Sequence, residues 1–109
     1  MMLPIPRRLL PFSMTFQQPK AGDYAGEYGE PVAIENVSFE EAENLINSGY
    51  VLSDGSAGVI CIDNINSDNA QSIPVGSLVT INEATYNVVR CTPVRKTFGL
   101  IHHYEVEVK

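Results

Sequence analysis

Apolar residues that return at every second position, in short runs closed by Gly, Pro, Asn or Asp, restrict this chain to an architecture built from strands. Ser13–Gln17 sets Met14 and Phe16 against Ser13, Thr15 and Gln17, and Pro31–Val37 carries Val32 and Ile34. Val59–Asp63 is almost continuously apolar, which predicts a strand covered on both faces. Ser77–Asn82 and Thr85–Thr92 flank Asn82-Glu83-Ala84 and read as a hairpin. Ile101–Lys109 places His102, Tyr104, Val106 and Val108 on one face and His103, Glu105 and Glu107 on the other. With 109 residues there is room for one modest core, so residues 1–109 are expected to form a single domain. The reading is mainly β, a small β-barrel of about six strands with one short helix and an extended N-terminal arm.

The helix is expected over residues 39–47. Ser38 and Glu41 have the spacing of a capping box, Phe39, Ala42, Leu45 and Ile46 recur at helical spacing, and Gly49 follows as a stop. Glu40, Glu41 and Glu43 would sit at the positive end of its dipole. Residues 1–12 contain Pro4, Pro6 and Pro11 and read as an extended arm of polyproline character. Its Leu3, Ile5, Leu9 and Leu10 are too apolar for a free segment, so it should pack on its own barrel or on a neighbour. Only Leu9 and Leu10 follow Arg7-Arg8 before Pro11, which argues against an export signal or a membrane-spanning helix. Pro19–Glu30, with Gly22, Gly26 and Gly29, reads as a flexible loop.

The net charge of −6 is less informative than its distribution. No Lys or Arg occurs between Ala21 and Val89, while Asp23, Glu27, Glu30, Glu35, Glu40, Glu41, Glu43, Asp54, Asp63, Asp68 and Glu83 all lie there. Such an acidic middle repels phosphate and disfavours nucleic-acid binding by this chain.

Tests for chemistry find no assembled site. His102 and His103 should point to opposite faces of one strand, with His102 on the apolar face as a core histidine. Cys61 and Cys91 lie in apolar runs and read as inert free thiols, and the spacings of a zinc site are absent. Asn64, Asn66 and Asp68 imitate a calcium loop, but Asn69 stands where glycine is required, so a polar surface loop is expected. No catalytic residue, metal or cofactor is expected, and the chain is read as a non-enzyme that binds other protein subunits.

The opening Leu3-Pro4-Ile5-Pro6-Arg7-Arg8-Leu9-Leu10-Pro11, the ending His102-His103-Tyr104-Glu105-Val106-Glu107-Val108, and Pro74-Val75-Gly76-Ser77 before the hairpin containing Tyr86 together resemble the minor capsid protein family of tailed phages infecting Gram-positive bacteria. Chain length and the order of strand, capped helix, strand and hairpin are also similar to the stopper proteins of long-tailed phages. The resemblance spans nearly the whole chain. It implies a β-barrel subunit in a homo-oligomeric ring of about six or twelve copies. Its partners would be the portal or connector protein on one side and a tail-terminator or tail-completion protein on the other, with packaged DNA passing through the lumen without sequence-specific binding and no membrane involved. The expected location is the head–tail junction of the virion, after assembly in the host cytoplasm. A neighbouring connector or tail-completion subunit, or a monomeric adaptor for a soluble protein, remains an alternative.

In the stopper proteins an axial loop lies between the early strand pair and the next apolar strand, which here corresponds to Ser38–Ala57. The expected gating segment comprises Ser38, Phe39, Glu40, Glu41, Glu43, Leu45, Ile46, Tyr50, Val51, Leu52 and Asp54; the alternative is that it folds back as a cover for its own barrel. The expected subunit-contact arm comprises Leu3, Ile5, Arg7, Arg8, Leu9 and Leu10.

Overall fold

A computed structural model describes residues 3–20, 27–47, 49, 51–53 and 55–109. The alternating runs form β1 (Phe12–Gln17), β2 (Val32–Glu41), β3 (Gly58–Asp63), β4 (Leu78–Ile81), β5 (Ala84–Arg95) and β6 (Ile101–Val108). All neighbouring pairs are antiparallel, and the order β1-β2-β3-β6-β5-β4 closes into a barrel because β1 pairs with both β2 and β4. The predicted class, a barrel of six strands with one short helix, is the observed one.

Inward positions are filled by Met14, Phe16, Ile34, Val37, Ile60, Ile62, Val79, Ile81, Val88, Val106 and Val108. Each such side chain contributes about 1.5–3 kcal/mol by leaving water. Ile73, from the segment between β3 and β4, joins this core. Both faces of β3 are covered, as its continuous apolar run predicts: Val59 faces outward yet is buried. The β4–β5 hairpin turns at Asn82 and Glu83, both at positive φ, which is the geometry of a two-residue turn matched to strand twist. The β1–β2 connection is more ordered than a loose loop at its base, where Gly29 N donates to Gln18 O and Lys20 N to Glu27 O. Residues 21–26, with Gly22 and Gly26, lie outside the described residues.

Three extra residues bend the wall. The β1–β2 register skips Asn36, which stands at φ +61, and the β5–β6 register skips Val89 and His102. β5 has twelve residues; Ala84–Asn87 pair with β4, while the pairings from Val88 to Arg95 are with β6 alone. Past β4 the wall therefore continues as β3, β6 and β5, with Pro93 on its β5 edge, and a turn at residues 96–100 joins β5 to β6.

The helix, α1 (Ala42–Asn47), starts later than the capping box predicted. Ser38 and Glu41 lie in β2, opposite Cys61 and Gly58 of β3. Ladder pairing with β3 serves the backbone groups that a cap would have served, and tertiary pairing overrides the local signal. Gly58 permits this approach: a Cβ there would stand 2.5 Å from Phe39 Cε1 and closer still to the Glu40 carbonyl oxygen.

Val106 lies opposite Ile60 and Cys91 and is fully buried. Val106→Asp should destabilise the domain by about 4 kcal/mol or more through an unpaired buried carboxylate. Thermal unfolding followed by circular dichroism should show the transition lost or strongly lowered; an unchanged Tm would place Val106 on the wrong face.

Candidate functional site

Two segments lie outside the barrel wall formed by β2, β3 and β6. The first is the arm. Asp63, at the end of β3, faces outward and is nonetheless fully buried. Its Oδ1 accepts from Ile5 N at 2.9 Å, and its Oδ2 accepts from Ile65 N at 3.0 Å and Asn66 N at 2.7 Å. Asn66 Nδ2 returns a bond to Ile5 O at 2.8 Å, so both backbone groups of Ile5 are held. Farther along, Leu10 is buried, whereas Arg7, Arg8 and Leu9 form an exposed 3₁₀ turn and Leu3 is 78% exposed.

His102 Nε2 lies 2.7 Å from Leu3 O, so this nitrogen donates. Its Nδ1 then accepts from His103 Nδ1, 2.7 Å away. The two rings, expected on opposite faces, meet edge to face with centroids 5.0 Å apart. The reason is the bulge at His102, which brings successive side chains toward the same side of the strand. His102 is thus a half-buried outer residue beneath the arm rather than a core histidine.

The second segment is the excursion between β2 and β3. Its base is closed by Ala42 N to Ala57 O at 2.9 Å and Ala57 N to Val108 O at 2.8 Å. Gly49, at φ +85, donates to Ile46 O and ends α1 in the left-handed conformation. Ser53 N donates to Glu107 Oε2 at 3.1 Å, and the other oxygen of Glu107 takes Arg90 Nη2 at 2.7 Å. Glu107 is only 2% exposed, so these donors replace the water it has lost. Leu45 turns toward the wall, while Ile46 and Val51 are 60% and 83% exposed.

Of the expected gating residues, Ser38, Phe39, Glu40 and Glu41 belong to the barrel strand β2. Phe39 packs against the core, with its ring 5.6 Å from that of Tyr86. Glu43, Leu45, Ile46, Val51 and Leu52 lie in the excursion, with Leu45 and Leu52 half-buried; Tyr50 and Asp54 are outside the described residues. The arm and excursion anchors, Asp63 and Glu107, stand at opposite ends of the β3–β6 ladder. Sequence reading missed both carboxylates and Asn66. The signal available was Asp63 two and three residues before the donors Ile65 and Asn66, a local Asx turn.

Between the anchors, Ser38, Glu40, Leu45, Val59, Cys61, His103 and Glu105 line a cleft of about 170 Å³. Burial, reinforced by Glu105 and Asp63 and opposed by a hydrogen bond from Ser38, pushes the Cys61 thiol up to about 12. It stays protonated at neutral pH and is a poor nucleophile. Burial also holds His103 below the usual histidine range; Glu105 opposes this, and His102 and Lys96 reinforce it. Among the described residues no group of three or more His, Cys, Asp or Glu is placed to hold a metal ion, and no helix is long and apolar enough to cross a membrane.

Asp63→Ala should cost about 3 kcal/mol and free the arm, accelerating tryptic cleavage after Arg7 or Arg8 by about tenfold or more. Unchanged cleavage would mean that Asp63 does not hold the arm. Because the folded state favours neutral His103, its contribution to stability is complete above the unfolded value of about 6.5 and is lost as pH falls through the lower folded value. Urea titrations between pH 7.5 and 5 should show stability falling with pH, with a smaller slope in His103→Gln.

A sequence model described as minor capsid protein matches residues 6–108. Comparison with curated proteins and with solved structures found no match. The family match covers all six strands and both anchors, and its structural character argues against a catalytic role for the cleft. The chain belongs to the minor capsid protein family and is a structural protein of the bacteriophage particle.

Proposed function

We propose that this chain is the stopper subunit of the head–tail connector, with the excursion facing the axis of a ring and retaining packaged DNA. The observation that carries the reading is the division of labour within the excursion. Leu45 and the Ser53 backbone attach it to its own wall, while Ile46 and Val51 remain exposed on the outside. The cover and the gate are therefore two faces of one segment. Isolated apolar side chains on a clamped segment gain partners when symmetry brings several copies together.

The remaining elements fit the same assignment. Exposed Glu43 in the excursion, with exposed Glu40 and Glu41 at the end of β2 beside it, gives a negative surface that lets DNA slide, since Lys or Arg would hold phosphates. Exposed Leu3 and Leu9 on the arm offer contacts to the portal or connector below or to the tail-completion protein above. On this reading the subunit resides at the head–tail junction of the virion, after assembly in the host cytoplasm.

The test is the double substitution Ile46→Asp with Val51→Asp, two exposed sites at which stability should change by about 0.5 kcal/mol or less each. Heads carrying the variant should package DNA and then lose it before tails attach, as read by nuclease sensitivity of the released genome. Full retention in tailless heads would overturn the gate.

A further inference from the structure

The turn that joins β5 to β6 holds an aromatic ring away from the rest of the chain. Lys96 N donates to Leu100 O at 2.9 Å, Gly99 N to Lys96 O at 2.8 Å, and the Arg95 guanidinium braces Gly99 O at 2.9 Å. Within this frame Phe98 stands at φ +58 and is 97% exposed. A bulky residue in the left-handed region is strained, and a fully hydrated phenyl ring returns nothing for that strain. Both features are explained if the ring is held ready for a pocket on another molecule.

We propose that Phe98 of one copy seats in the cleft beneath Leu45 of a second copy of this chain; the contact rests on the ring reading above and supplies its subunit interface. The cleft has about 170 Å³, with Leu45, Val59 and Cys61 as its apolar lining. A cavity of about 150 Å³ admits a benzene ring, so one phenyl group matches this space. Charge selects a second copy as the occupant. Glu40 and Glu105 line the cleft, with exposed Glu41 and Glu43 close by in sequence, whereas Arg95 and Lys96 flank the ring on the tip. The chain has seven basic residues and none between Ala21 and Val89, so the acidic cleft and the basic tip are complementary surfaces of one sequence.

The test measures self-association of the full chain by sedimentation equilibrium up to about 1 mM, the weak end of measurable affinity. Phe98→Asn preserves the left-handed turn, because Asn tolerates that conformation, and removes the ring; it should weaken association at least about tenfold with Tm unchanged within about 3 °C. Glu40→Lys and Lys96→Glu should each weaken association, and the two should restore it when mixed as separate chains or combined in one. Self-association that is indifferent to all of these overturns the Phe98 contact and leaves the ring reading standing. Absence of any self-association at the highest concentration overturns the Phe98 contact, while the ring reading is decided separately by DNA retention in tailless heads. Loss of binding to a purified portal protein in Phe98→Asn, with self-association intact, assigns the tip to a different partner and also overturns the proposal.

Discussion

Pairing of β1 along both of its edges is the constraint on which everything else in this molecule depends. By joining β2 on one side and β4 on the other, β1 turns a six-stranded sheet into a tube with a single interior. Alternation then assigns every second side chain to that interior, and segments outside the strands attach to the wall's outer face or, like Ile73, reach the core from a connection. The hydrophobic core takes inward side chains from all six strands. Charges, the arm and the excursion are all consigned to the outside.

What is attached there is fastened in the same way twice. A backbone N–H, from Ile5 in the arm and from Ser53 in the excursion, donates to a carboxylate excluded from water. Asp63 completes its set of donors locally, through Ile65 and Asn66, and Glu107 completes its own across the ladder, through Arg90. A charged acceptor in a dry site strengthens each bond and penalises its loss, so each anchor adds strongly to the other contacts that hold its segment. The exposed side chains beside the anchors, Leu3 and Leu9 in the arm and Ile46 and Val51 in the excursion, are consequently carried on segments fastened to the wall.

The barrel was legible in the sequence because its signal is local. Period-two alternation in Met14 and Phe16, the unbroken Val59–Ile62, and the spacing of Tyr104, Val106 and Val108 each name their own buried face. The helix boundary was not, since Ser38 and Glu41 satisfy a capping pattern whose competitor, β3, lies about twenty residues away in the chain. The meeting of His102 and His103 depends on a bulge, which sets two neighbours on one side and has no mark in composition. Most of the candidate site escaped for a related reason. A buried Glu107 in a run of alternating charge reads as solvated until the excursion is laid over it, and Phe39 reads as a helix residue until Gly58 lets β2 approach β3.

Where β5 outruns β4, no strand among the described residues pairs with its outer edge from Val89 to Arg95. An open edge of that length is a template for unprogrammed strand addition and so for aggregation. Pro93 interrupts the row of donors in the middle of this edge, and the charged Arg90 and Arg95 bracket it. The wall thus presents this stretch of β5 without offering a continuous edge for fibre growth.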